Sequence, residues 1–151
     1  MEIPQRRQKS TLMAQRKRAA VVLRRGMNHA EFRQIEARLE ALDLVFMPIL
    51  AERRGAAAAD GAFCGLIVTG GDRLPSPKER EMIADTVQQT VERKAPVLAL
   101  SDAVEMVLDA AGYDPAEEGA CAVLIHRGVR TLRTPKEIDE AIAMMAASPM
   151  R

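Results

Sequence analysis

Side chains that bind metals or act as catalytic bases are scarce in this sequence. It has two cysteines and two histidines among 151 residues. Cys64 and Cys121 each lie in an apolar, strand-like run, and neither has a second Cys or a His at metal-ligand spacing. We therefore expect both thiols to be buried and reduced, and we predict neither a metal site nor a cofactor. His29 and His126 are the two imidazoles available as a catalytic base.

Long apolar runs and nucleotide-binding motifs are also absent. No run approaches the roughly 18 apolar residues that a membrane span requires, and no apolar segment follows Met1 as a signal peptide would. The sequence has no G-x-G-x-x-G after a strand-like run and no G-x-x-x-x-G-K-[ST]. With 48% hydrophobic and 28% charged residues, the chain is typical of one globular domain. We expect a cytoplasmic protein with no membrane partner.

Charge is distributed unevenly along the chain. The net charge is +1, but residues 1–25 carry +7 and the remainder carries −6. We predict a flexible basic tail over residues 1–18 that could bind a polyanion or an acidic partner. The tail has no aromatic residue on which single-stranded nucleic acid bases could stack. Its candidate binding residues are Arg6, Arg7, Lys9, Arg16, Lys17 and Arg18.

Hydrophobic periodicity predicts alternating strands and helices after the tail. The predicted strands are 19–23, 44–50, 62–71, 95–100 and 120–126, and the predicted helices are 29–42, 77–93, 102–112 and 133–145. Helix starts are indicated by Asn28 with Glu31, by Ser-Pro at 76–77 and by Thr-Pro at 134–135. Pro48 favours an edge strand or an early end of the strand, and the Ala-rich segment 51–61 could be a loop or a short helix. This order predicts one doubly wound α/β domain over residues 19–147, with a mainly parallel five-stranded sheet and helices on both faces.

In such sheets, ligands bind beyond the carboxyl ends of the strands. The loop "TGGDR" follows the most apolar strand, and its two glycines allow a close backbone approach to a ligand. Their N–H groups could line an anion or oxyanion site, although a tight turn would need the same glycines. The loop contributes the candidate ligand-binding residues Thr69, Gly70, Gly71, Asp72 and Arg73.

Ser101 follows the fourth predicted strand, where several α/β enzyme families keep a nucleophile. Three roles are open for it: the cap of the next helix, a nucleophile or a ligand-binding hydroxyl. A serine nucleophile needs a base within hydrogen-bond reach, and His126 is expected to end the fifth strand at the same edge. Asp102 suits the N-terminus of a helix because its charge complements the helix dipole. Ser101 and His126 are thus the catalytic candidates, and Asp102 joins the ligand-binding set.

The stretch "GLIVTGG", then a helix, then "APVLALSDAVEMVLDAAG", resembles the class I glutamine amidotransferase-like superfamily, including its ThiJ/PfpI-type branch. The resemblance covers residues 19–112 and implies that Gly70 and Gly71 match oxyanion-loop glycines. It also implies that Ser101 takes the place of the catalytic cysteine. "ALSDA" has alanines where flanking glycines are typical, and "HRG" stands where an H-P-E would be expected. The resemblance therefore implies a catalytically degenerate relative.

Two further resemblances, together with the first, imply a flavodoxin-like three-layer α/β sandwich. The alternating pattern is similar to that of response-regulator receivers, although Thr69 stands in place of the phosphoacceptor aspartate. "TGGDRLPS" followed by "PVLAL" is similar to DRTGG-type regulatory domains.

Three hypotheses about function remain open at this point. The leading one is a non-catalytic regulatory domain that binds a partner protein or a small anionic ligand at the Ser101 edge. The others are a hydrolase that uses Ser101 with His126, and a nucleic-acid-associated protein that binds through its tail. A protein partner could also be a second copy of the chain, as a homodimer.

Overall fold

The computed structural model of this protein describes residues 17–51 and 63–150. These residues contain six strands and four helices. In chain order they are β1 (Arg18–Leu23), α1 (His29–Ala41), β2 (Val45–Leu50), β3 (Leu66–Val68), α2 (Pro77–Glu92), β4 (Val97–Leu100), α3 (Ala103–Ala111), β5 (Ala122–Ile125), β6 (Val129–Leu132) and α4 (Pro135–Ala147).

All six strands form one sheet in the order β2-β1-β3-β4-β5-β6. The first four strands in this order are parallel, whereas β5 is antiparallel to both β4 and β6. Alternate strand residues point to opposite faces, and both faces are covered. Helices α2 and α3 pack on one face, and α1 and α4 pack on the other. The predicted flavodoxin-like three-layer sandwich is therefore confirmed.

The sheet has six strands rather than the predicted five. The sixth strand, β6, was missed because it has little apolar signal: Val129 and Arg130 are exposed, and among its residues Leu132 alone is buried. The third strand is also shorter than expected. Residues 63–65 and Thr69 are buried like β3 itself, but β3 comprises only Leu66–Val68.

The direction of β5 decides which residues lie near Ser101 at the carboxyl end of β4. Helix α3 starts at the carboxyl end of β4 and ends at Gly112. Residues 113–121 contain no helix or strand, and an extended segment of that length can span about 30 Å. The chain thereby returns to the carboxyl end of β4 before β5 begins, and the Ser101 N–H donates to the carbonyl of Cys121 at 3.0 Å. Consequently β5 runs away from this edge.

Local signals at the helix ends are largely confirmed. Ser76 caps α2 in a complete capping box with Glu79, and Thr134 caps α4. Gly112 ends α3 with a left-handed φ of 81°. Asn28 caps α1 by accepting from the Glu31 N–H, but the Glu31 side chain does not close a box there. Pro48 lies in β2, which is an edge strand as predicted.

The folded domain begins before the predicted boundary at residue 19. Lys17 Nζ donates to the carbonyls of Ala146 and Ser148, at 2.8 and 2.9 Å, at the end of α4. Arg18 is the first residue of β1 and pairs with Val45. The assignment of Lys17 and Arg18 to a flexible tail is therefore wrong, because both belong to the folded domain. The rest of the predicted tail, and almost all of the Ala-rich segment, lie outside the described residues.

Candidate functional site

Ser101 occupies a sharp turn between β4 and α3. Its φ of 53° lies in the left-handed region that residues with side chains rarely adopt. The Ser101 carbonyl accepts a hydrogen bond from the Val104 N–H, which starts α3. The N-cap position itself belongs to Asp102, and the helix has no side-chain cap. The prediction that Ser101 caps the helix through its hydroxyl is therefore wrong, because that hydroxyl points elsewhere and is exposed.

The partner of the Ser101 hydroxyl is a carboxylate. Ser101 Oγ donates to Glu31 Oε2 at 2.5 Å, and Glu31 Oε1 accepts from the Gly70 N–H at 2.7 Å. Glu31 is in the first turn of α1, which begins at the carboxyl end of β1. Its side chain therefore bridges the loops that follow β3 and β4. A charge-assisted network of this kind holds the three loops in one arrangement.

Gly70 and Gly71 fit this network only because neither has a side chain. A Cβ atom on Gly70 would lie 2.7 Å from Asp102 Oδ1 and 2.8 Å from Ser101 Cβ. A Cβ atom on Gly71 would lie 2.4 Å from both Arg24 Nη2 and the Gly26 carbonyl oxygen. The Gly71 N–H donates to Asp102 Oδ1 at 2.9 Å. Both glycines are thus required by close approach of neighbouring atoms.

A buried arginine supports the loop from behind. Arg24, at the end of β1, is 7% exposed, and its Nη1 donates to the Arg73 carbonyl at 2.7 Å. The Arg24 Nε is buried without a hydrogen-bond partner among the described residues. Further backbone bonds join the loops, from Asp72 N to Gly26 O and from Asn28 N to Gly70 O. The β1 and β3 loops therefore form one rigid unit.

Glu79 lies behind this unit at the start of α2. Its Oε2 accepts from the Arg25 N–H at 3.3 Å. Burial alone would raise the pKa of Glu79. Hydrogen bonds from Ser76 and from the Arg25 backbone, together with the Arg24 charge, outweigh burial and lower the pKa below its ordinary value. The carboxylate form is thus favoured beside the buried guanidinium.

The remaining predicted ligand-binding residues differ in accessibility. Asp72 and Arg73 are exposed at the edge, and Gly71 is partly exposed. Gly70 is buried, and Thr69 is only 2% exposed. Thr69 therefore lies against the core, and its contact with a ligand stays a prediction.

His126 is far from Ser101, contrary to the prediction that they share an edge. Since β5 is antiparallel to β4, Cys121 lies beside Ser101, and His126 lies beyond Ile125, which pairs with Val97. Five residues of strand at about 3.3 Å each separate the two positions by roughly 16 Å. His126 therefore cannot act as the base for Ser101, and that hydrolase hypothesis is wrong.

The cysteines divide between core and surface. Cys64 is buried as expected, and burial raises the pKa of its thiol. Cys121 is exposed, because it precedes β5 at the open edge, and its Sγ lies 3.4 Å from the Arg133 carbonyl oxygen. The predicted burial of Cys121 is therefore wrong. Among the described residues, no group of three or more His, Cys, Asp or Glu side chains could hold a metal ion.

Sequence reasoning missed two residues that build the site. The sequence indicates only a capping role for Glu31, and it indicates no role for Arg24. Each had a usable signal. Glu31 is an acid in the first turn after a strand, at the edge where ligands bind, and Arg24 directly follows the apolar run of β1.

The arrangement is poorly suited to stabilising an oxyanion. The two glycine N–H groups that could bind one already donate to Glu31 and Asp102. A developing negative charge would have to displace a carboxylate, and the remaining carboxylates would repel it. In this arrangement, neither glycine N–H is available to bind an oxyanion.

Known structures share this architecture. The crystal structure of DJ-1beta from Drosophila melanogaster, a ThiJ/PfpI-type protein, is similar over 87% of this chain and 87% of its own, with a TM-score of 0.57 and 13% identity. The chain has the class I glutamine amidotransferase-like fold. No described protein family matches the sequence, and no curated protein does. The predicted resemblance is therefore confirmed, and at this identity it is a resemblance of fold.

No helix in the described part of the chain is long and apolar enough to cross a membrane.

Proposed function

We propose that this chain is a non-catalytic binding domain that recognises a partner protein at the edge formed by residues 70–74, Ser101 and Asp102. The observation that carries the proposal is the engagement of both glycine N–H groups by the chain's own carboxylates. A small anionic ligand would compete with Glu31 and Asp102 for the same donors. A protein partner would not need those donors.

The exposed side chains of the edge also favour a protein partner. Leu74 is 85% exposed and directly follows the exposed Asp72 and Arg73. A protein partner could bury Leu74, with Asp72 and Arg73 as part of the polar rim that surrounds the apolar centre of an interface. The loop that carries Leu74 is held from behind by Arg24, so little ordering is required on binding.

Absence of chemistry at Ser101 is tested by esterase and glutaminase assays. We expect the wild-type chain and Ser101→Ala to give the same background rate with p-nitrophenyl acetate and with glutamine. A rate that depends on the serine hydroxyl, or an acylated Ser101 found by mass spectrometry, would show that the Ser101–Glu31 pair acts as nucleophile and base.

Binding is tested by site-specific photo-cross-linking in cells that express the chain. A photoreactive amino acid replaces Leu74 in one variant and, as the control, Val129 in another. Val129 is 41% exposed and starts β6, far from Ser101. We expect a discrete adduct at position 74 that disappears with Arg73→Glu and persists with Arg130→Glu. Equal labelling at both positions, or none at 74, would contradict the proposal. An adduct with a second copy would identify the partner as a homodimer.

A further inference from the structure

A cavity lies at the opposite end of β4 from Ser101. Its volume is about 370 Å³, and it is lined by Val91, Lys94, Ala95, Tyr113, Ile125, His126 and Arg127. It is formed where the end of α2, the segment after α3 and the turn between β5 and β6 meet. This volume falls within the range of small-molecule sites. The proposed partner edge uses none of these residues.

The lining divides into an apolar floor and a basic rim. Val91, Ala95 and Ile125 provide the floor, and Ala95 and Ile125 are 3% and 2% exposed. Lys94 and Arg127 supply two positive charges, His126 supplies an imidazole, and no acidic residue is among the lining residues. Tyr113, 38% exposed, adds an aromatic ring. A flat ring fits the floor and Tyr113, and an anionic group fits Lys94 and Arg127.

Lys94 and Arg127 both have the left-handed backbone conformation, which is unfavourable for residues with long side chains. Lys94 has a φ of 61° just after α2, and Arg127 has a φ of 59° in the β5–β6 turn. Glycine or asparagine is the usual residue in this conformation. Two of the four non-glycine residues with positive φ in the described chain thus line one cavity, and both are basic. Unfavoured conformations concentrated at one place are typical of a functional site.

We propose that this cavity binds a small organic anion in which a carboxylate or phosphate is attached to a flat ring. Lys94 and Arg127 hold the anionic group, and the Arg127 guanidinium can donate two parallel hydrogen bonds to it. The ring lies against Val91 and Ile125 and contacts Tyr113. His126, which has no role at the Ser101 edge, supplies a further hydrogen-bonding group.

The single tyrosine of the chain gives a direct probe of this cavity. Incorporated 3-fluorotyrosine produces one ¹⁹F resonance, from position 113, and phenyl phosphate is titrated at low salt. We expect a saturable shift with a Kd of about 1 mM or tighter. Benzyl alcohol has the ring without the charge, and inorganic phosphate has the charge without the ring. Both are expected to bind at least about tenfold more weakly.

Substitutions separate the cavity from general surface charge. Lys94→Asn and Arg127→Asn remove the charges, and asparagine tolerates the left-handed conformation. Each is expected to weaken phenyl phosphate binding about tenfold. Arg130→Gln removes an exposed charge outside the cavity and should leave the Kd unchanged. Benzoate in place of phenyl phosphate shows which anionic group is preferred. Three results would each overturn the proposal. They are no ¹⁹F shift at Tyr113 with phenyl phosphate, binding of benzyl alcohol as tight as that of phenyl phosphate, and a loss of affinity in Arg130→Gln as large as in Lys94→Asn or Arg127→Asn.

Discussion

Ser101 combines a strained backbone with a strong hydrogen bond. Its φ of 53° is unfavourable for a residue with a Cβ atom, and its hydroxyl donates to Glu31 at 2.5 Å. Both features depend on contacts from elsewhere in the fold, since Ser101 and Glu31 are 70 residues apart in sequence. The segment "LALSDAVEMV" predicts a strand–helix junction. It predicts neither the left-handed conformation of Ser101 nor the hydrogen bond from its hydroxyl to Glu31.

Comparison of Ser101→Ala with Ser101→Gly isolates the backbone strain. Both variants lose the hydrogen bond to Glu31, but glycine alone adopts the left-handed conformation without penalty. We expect Ser101→Gly to be more stable than Ser101→Ala by about 1 kcal/mol in urea unfolding. The matched control is Glu81, which is exposed within α2. There we expect the opposite order of stability, with Glu81→Ala more stable than Glu81→Gly by about 1 kcal/mol. The same order at both positions would contradict the left-handed conformation of Ser101.

At the scale of elements, the start of α2 links helix capping to the site. The Glu79 carboxylate accepts from the Ser76 N–H at the cap and from the Arg25 N–H in the β1 loop. The capping box was readable from "SPKE" because all its groups lie within one helical turn. The contact to Arg25 was not, because it spans 54 residues.

This contact makes stability depend on pH. The pKa of Glu79 is lowered in the folded state, so the carboxylate stabilises the fold at neutral pH. That contribution is lost as pH falls from the unfolded glutamate pKa, about 4.3, through the lower folded pKa. We expect Glu79→Gln to lower the free energy of unfolding by on the order of 1 kcal/mol at pH 7. Urea unfolding at pH 7 and pH 3 should show the deficit shrinking in acid. Glu81→Gln is the matched control, and a deficit equal at both pH values would refute the argument.

At the scale of the whole molecule, the structure moves the boundary between the basic N-terminus and the folded domain to residues 16 and 17. Lys17 and Arg18 are integral to the domain, so the predicted polyanion-binding segment reduces to residues 1–16. This segment has four basic residues, Arg6, Arg7, Lys9 and Arg16, against Glu2. Its binding to nucleic acid stays a prediction that deletion can test.

Deletion of residues 1–16 should abolish binding to duplex DNA without altering the folded domain. For the full chain, we expect a plot of log K for DNA binding against log salt concentration to fall with a slope no steeper than about −4. Each neutralised phosphate contributes about −0.9, and the segment has four basic residues. Fluorescence anisotropy at several salt concentrations measures the slope, and urea unfolding checks that stability is unchanged. A full-length variant with the four basic residues replaced by glutamine is the control. Undiminished binding by the deleted chain would eliminate the tail as the contact.

Signals that act over a few residues were readable from the chain itself. The buried parallel strands, the caps at Ser76 and Thr134 and the end of α3 at Gly112 were predicted correctly. Each depends on side-chain periodicity or on hydrogen bonds within a single turn. The layer arrangement then followed from alternating strands and helices.

Tertiary structure decided the direction of β5 and therefore the contents of the site. Hydrophobic periodicity is the same in either strand direction, so "CAVLIH" could not show that His126 points away from Ser101. The return path of residues 113–121 determines it. The fold instead brings Glu31 to Ser101, and it places His126 in the cavity that Lys94 also lines. Both arrangements join segments that are far apart in the chain.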